Sequence, residues 1–127
     1  MKKMFFVCLT LLLASCQEPY EKAIDKYYKS HLDDPGSYEL IEMGKPQKLT
    51  PTSYLAFTDG DRKDFHDFVM KFRDSYKKEG KDPDEHIGYI VEHEYRATNR
   101  FGAKVKHFDR VHLDKELKQV IVVEPIK

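Results

Sequence analysis

From Ile87 onward the sequence keeps a strict two-residue period. Ile87, Tyr89, Val91, His93, Tyr95 and Ala97 occupy one set of alternate positions, and Ile90, Glu92, Glu94, Arg96 and Thr98 the other. Side chains that alternate in this way belong to a β-strand. Asn99-Arg100-Phe101-Gly102 follows, with Asn at the first and Gly at the fourth position of a type I turn. That chemistry suits a three-residue hairpin loop closed by a left-handed glycine. The turn fixes the register of everything after it. With Asn99 opposite Ala103, Ala97 faces Val105, Tyr95 faces His107, His93 faces Asp109, Val91 faces Val111 and Tyr89 faces Leu113, while Glu92 faces Arg110 on the other side. A slip by one residue would pull Asp109 and His107 away from these partners, so turn chemistry and hydrophobic pattern require the same pairing.

The remaining elements are read around this hairpin. Pro19 followed by Tyr20, Ile24, Tyr27, Tyr28 and Leu32 predicts a helix with proline in its first turn, ended at Asp33-Asp34-Pro35-Gly36. Ser37 to Met43 predicts a strand, and Gly44 to Ser53, with Pro46 and Pro51, an irregular edge or loop. Phe65, Phe68, Val69, Phe72 and Tyr76 form one helical stripe, capped by Asp59 or Asp61 and ended by Gly80 and Pro83. Leu117 to Glu124 predicts a last strand with an apolar core and no assignable register. The predicted fold is α+β: helix, strand, helix, then three antiparallel strands, with the Phe65 to Tyr76 helix on the apolar face of a sheet of about four strands. A cystatin-like wrap of sheet around helix is one form of this plan.

The N-terminus predicts where such a domain sits. Lys2 and Lys3 precede an apolar run from Met4 to Leu13, about ten residues and too short for a bilayer span of roughly 20. Leu13-Ala14-Ser15-Cys16 resembles a bacterial lipobox, so residues 1–15 read as a signal peptide, Cys16 as the lipidated first residue, 16–20 as a short tether and 21–127 as a single domain. Gln17, by resemblance to sorting in Gram-negative bacteria, favours the outer membrane. Cys8 lies in the discarded run, which leaves an exported protein with no thiol pair to oxidise. Loss of Lys2 and Lys3 turns the balance of 22 basic and 22 acidic residues into a net charge of −2. The expected partner is therefore the membrane, through the lipid, together with an envelope protein, and not nucleic acid.

Chemistry concentrates on the hairpin. His93, Tyr95, His107 and Asp109 fall together on its otherwise apolar face, either as a small binding pocket or as paired polar groups at the margin of the core. Zinc held by His93, His107 and Asp109, or a small enzymatic site on these three residues, is the alternative, although a nucleophile or second acid is missing. No metal, cofactor or catalytic residue is assigned. His107 and His112 have opposite strand parity and cannot share one ion. His31, His66 and His86 read as surface or helix-end residues. Arg100 and Phe101 at the tip form a second candidate, a partner contact of the kind a hydrolase inhibitor uses, or a ring folded back over the sheet.

Two segments carry a family resemblance: Leu32-Asp33-Asp34-Pro35-Gly36-Ser37-Tyr38-Glu39, and His93-Glu94-Tyr95-Arg96-Ala97-Thr98-Asn99-Arg100-Phe101-Gly102. They resemble a recurring type of small exported lipoprotein from Bacteroidota. Thr98 stands where that pattern has Lys, and Gly36 where it has Asp or Glu. The resemblance implies an exported lipoprotein and brings no catalytic residue or activity with it; the lipobox, the missing catalytic constellation and the small size predict a membrane-anchored, non-enzymatic binding or accessory module of the envelope.

Overall fold

The computed structural model describes residues 17–126; the expected leader (1–15), Cys16 and Lys127 lie outside the described residues. The chain runs α1 (Pro19–His31), a single 3-10 turn (Pro35–Ser37), β1 (Glu39–Met43), β2 (Gln47–Leu49), α2 (Pro51–Asp59), α3 (Phe65–Lys78), β3 (Gly88–Thr98), β4 (Lys104–Leu113) and β5 (Val120–Pro125). The fold is α+β. Its antiparallel sheet has the order β1-β3-β4-β5, with β2 pairing the start of β3 beyond the end of β1.

The hairpin forms with the register that its turn requires: Tyr89 opposite Leu113, Val91 opposite Val111, His93 opposite Asp109, Tyr95 opposite His107 and Ala97 opposite Val105. Gly102 has φ of 80°, the left-handed conformation that closes the loop. The Asn99 side-chain oxygen accepts from the N–H of Phe101 (2.9 Å) and of Ala103 (3.0 Å), which stiffens the tip from inside. At the other end, a side chain on Gly88 would collide with the Leu113 carbonyl, so the close approach of β3 and β4 requires glycine there. β5 adds to β4 with Val123 opposite Val111 and Glu124 opposite Arg110. It starts at Val120, later than the sequence pattern suggests, because Leu117 takes a left-handed φ of 60° in the preceding turn.

The apolar face of the sheet is covered by α1, which corrects the expectation that the Phe65 to Tyr76 helix lies there. Ile24 (0% exposed) and Tyr28 (3%) pack into one core with Val91, Tyr95, Ala97, Val111 and Leu113. The physical reason lies in the two polar groups on this face. His93 and Asp109 need hydrogen-bond partners once buried, and the Phe65 to Tyr76 stripe carries a hydroxyl only at its last position, whereas α1 and the turn after it bring two, from Tyr28 and Tyr38.

The end of the expected Gly44 to Ser53 loop is a second correction, since Pro51 starts a helix that runs to Asp59. Thr50 accepts from the Ser53 N–H (3.0 Å) and the Ser53 hydroxyl accepts from the Thr50 N–H (2.8 Å), a reciprocal cap with proline at the first helical position. β2 between Pro46 and this cap makes the fifth strand. Because Asp59 belongs to α2, neither Asp59 nor Asp61 caps the next helix, which begins at Phe65 after Asp64. The α3 stripe of Phe65, Phe68, Val69, Phe72 and Tyr76 packs against α2 instead of the sheet and stays half-buried. Arg73 ties that helix down through a two-pronged bond to Asp84 and a contact with the Thr52 hydroxyl (3.1 Å).

Candidate functional site

The cross-strand pairs His93–Asp109 and Tyr95–His107 lie side by side on the face beneath α1. Tyr28 reaches down from α1 and donates its hydroxyl to Asp109 Oδ2 at 2.6 Å. Burial first, and then this bond to the carboxylate, push the Tyr28 phenol far above its ordinary range, so the hydroxyl keeps its proton and acts only as a donor. Tyr95 is pushed up by burial and by the Asp109 charge beside it.

His93 is fully enclosed (0% exposed), with Tyr28 and Tyr95 ring centres at 4.5 and 4.9 Å. Burial lowers its pKa to about 4, so the imidazole is neutral at physiological pH. Tyr38, just after the 3-10 turn, sits with its hydroxyl 2.8 Å from His93 Nε2. Burial, and then the Asp25 charge, raise the Tyr38 phenol to about 12, so it donates and Nε2 accepts. This network places the His93 proton on Nδ1, which is buried and has no partner.

The four hairpin residues singled out from the sequence therefore separate. His93 is a core histidine committed to Tyr38, with no open path to a metal or substrate. That corrects the expectation of a solvent-accessible site shared by His93, His107 and Asp109. Among the described residues, no three His, Cys, Asp or Glu side chains converge to hold a metal ion. Tyr95, His107 and Asp109, in contrast, border a shallow groove of about 330 Å³ between α1 and the sheet, whose other wall is Tyr27, Tyr28 and His31. Stacked pairs frame it: Tyr95 on His107 at 4.9 Å and Tyr27 on His31 at 4.0 Å. Asp109 is only 6% exposed, yet it forms no described salt bridge, and no Lys or Arg lines the groove. The lining also contains no serine, threonine or cysteine that could serve as a nucleophile.

The α1 side of this groove was not legible from the hairpin. Its signal lies in the helix itself, where Tyr27, Tyr28 and His31 stand in place of the aliphatic residues that a purely apolar seam would carry.

The opposite face of the sheet behaves as its parity requires, with His112 turned away from His107. His112 Nε2 lies 3.1 Å from Glu124, which also accepts from the Tyr54 hydroxyl at 3.0 Å. Burial alone would raise Glu124, but the bonds from His112 and Tyr54 outweigh it and hold the carboxyl below its usual range. Arg110 lies over the Phe57 ring at 4.6 Å, so this cluster fastens α2 to β4 and β5. Further out, Lys106 pairs with Glu94 (2.6 Å) and Lys104 with Glu39 (2.9 Å), so both β4 lysines on that face have a carboxylate partner.

At the hairpin tip Phe101 is 80% exposed, with the Arg100 guanidinium 4.9 Å from its ring, so the ring projects and does not fold back. Among the described residues no helix is long and apolar enough to cross a membrane. No protein-family model, curated protein or solved structure matches this chain.

Proposed function

We propose that this protein is a lipid-anchored binding module of the bacterial cell envelope, held at the outer membrane through Cys16 and binding its ligand in the groove between α1 and the β3–β4 hairpin. The anchor rests on the lipobox-like Leu13-Ala14-Ser15-Cys16. The binding reading rests on one observation: Asp109 is a nearly buried carboxylate, satisfied by a tyrosine hydroxyl rather than a cation, at the floor of an aromatic groove whose lining has no serine, threonine or cysteine. Groups arranged in this way can hold and orient a ligand.

Metabolic labelling with a fatty-acid analogue, followed by membrane fractionation, tests the anchor. The protein should be labelled and sediment with membranes, and Cys16→Ala should abolish both; an unlabelled wild-type protein refutes the anchor. For the groove, crosslinking in intact cells should give products from the wild type that disappear in a His107→Ala, Tyr27→Ala double variant. Products unchanged by that variant refute the groove as the binding face. A second reading draws on the projecting Phe101: the tip inserts into a partner protein, as inhibitor loops do. In that case Phe101→Ala abolishes the crosslinks and the groove variant does not.

A further inference from the structure

We infer that the groove between α1 and the hairpin takes a compact organic cation, an alkylammonium group of about the size of trimethylammonium. This assignment rests on the groove being the binding face. Asp109 is the one acidic group among the described lining residues, and the ring surface open to the groove comes from Tyr27, His31 and His107, with Tyr28 (3% exposed) and Tyr95 (5%) almost wholly buried beneath. Ring faces carry negative electrostatic potential, and a desolvated cation gains from them as well as from the carboxylate. Both contributions favour the same sign of ligand. An anion would meet a buried carboxylate with no Lys or Arg in the lining to offset it, and a neutral ligand would gain less than a cation from the carboxylate and from the ring faces.

The Tyr28 hydroxyl occupies Oδ2 of Asp109 at 2.6 Å and holds the carboxylate in one orientation. The carboxylate is therefore set before any ligand arrives, which lowers the ordering cost of binding. A volume of about 330 Å³ lies at the small end of ligand sites, so the groove suits a headgroup or a free small amine and not an extended polymer.

Two sources could present this chemistry, a choline- or ethanolamine-type lipid headgroup and a free amine. The test is NMR titration of the protein at pH 8 with choline and, in parallel, with 3,3-dimethylbutanol, its uncharged isostere. Choline should shift the resonances of Tyr27, Tyr95 and His107, and the isostere should bind about tenfold more weakly or worse. Asp109→Asn, which keeps an acceptor for Tyr28, should abolish that preference. Should this variant fail to fold, Tyr27→Leu at the rim removes one ring without touching the carboxylate and should weaken choline binding several-fold. Flotation with phosphatidylcholine vesicles separates the sources. Binding reversed by soluble choline assigns a lipid headgroup, and choline binding without flotation assigns a free amine; either supports the inference. Equal binding of choline and its isostere overturns the cation assignment while leaving the groove as a binding site. Groove resonances unmoved by choline overturn it as well, and the crosslinking result then decides the groove reading independently.

Discussion

The buried, neutral His93 should make the protein acid-sensitive in a window where few carboxylates titrate. In the unfolded chain a histidine has an ordinary value near 6.5, whereas burial holds His93 at about 4 in the fold. The folded-state value is the lower one, so the unfolded chain binds the extra proton. Stability is fully present above pH 6.5 and falls as the pH drops towards 4. The whole shift corresponds to about 3 kcal/mol, and the part lost between pH 7 and pH 5 is about 2 kcal/mol. Set against a typical stability of about 5–15 kcal/mol for a domain, this is large enough to measure. Urea melts at half-unit pH intervals should show the loss in the wild type. His93→Gln keeps an acceptor for the Tyr38 hydroxyl and removes the titration, so it should be less stable at pH 7 but lose about 2 kcal/mol less on going to pH 5. Parallel curves for the two proteins between pH 7 and pH 5 would refute the assignment of His93 as the group that resists protonation.

Three further outcomes test the architecture. Ile24→Ala empties a fully enclosed site under α1 and should cost about 2–5 kcal/mol, whereas Val69→Ala on the half-buried α3 stripe should cost under about 1 kcal/mol by denaturant melts; the reverse order would put the wrong helix on the sheet. Thr50→Ala removes one half of the reciprocal cap of α2 and should cost about 1 kcal/mol in the same assay. Phe101→Ala should leave thermal stability within about 0.5 kcal/mol of wild type, because the ring makes little contact with the fold.

The hairpin could be read from the sequence because its determinants are local. Asn99 and Gly102 define the loop, the two-residue period defines the faces, and together they leave one register, which brings His93 to Asp109 and Tyr95 to His107. The start of α1 at Pro19 and its end before Pro35 are equally local. The sequence predicts a loop through Ser53 because Pro51 is ambiguous by itself: proline breaks a strand or starts a helix, and the Thr50–Ser53 cap decides between them.

The assignment of helices to faces was beyond local reasoning. Both α1 and α3 have an apolar stripe, and the α3 stripe is the more hydrophobic to the eye, yet α1 covers the sheet. What separates them is hydrogen bonding across more than fifty residues of sequence: Tyr28 meets Asp109 and Tyr38 meets His93. The same long-range contacts divided the four hairpin residues, burying His93 and leaving Tyr95, His107 and Asp109 at the edge of a groove. The sequence by itself determined which polar residues share a face. Only the tertiary structure decided which of them meet solvent, because burial depends on what packs above the sheet and on whether it can satisfy the groups beneath.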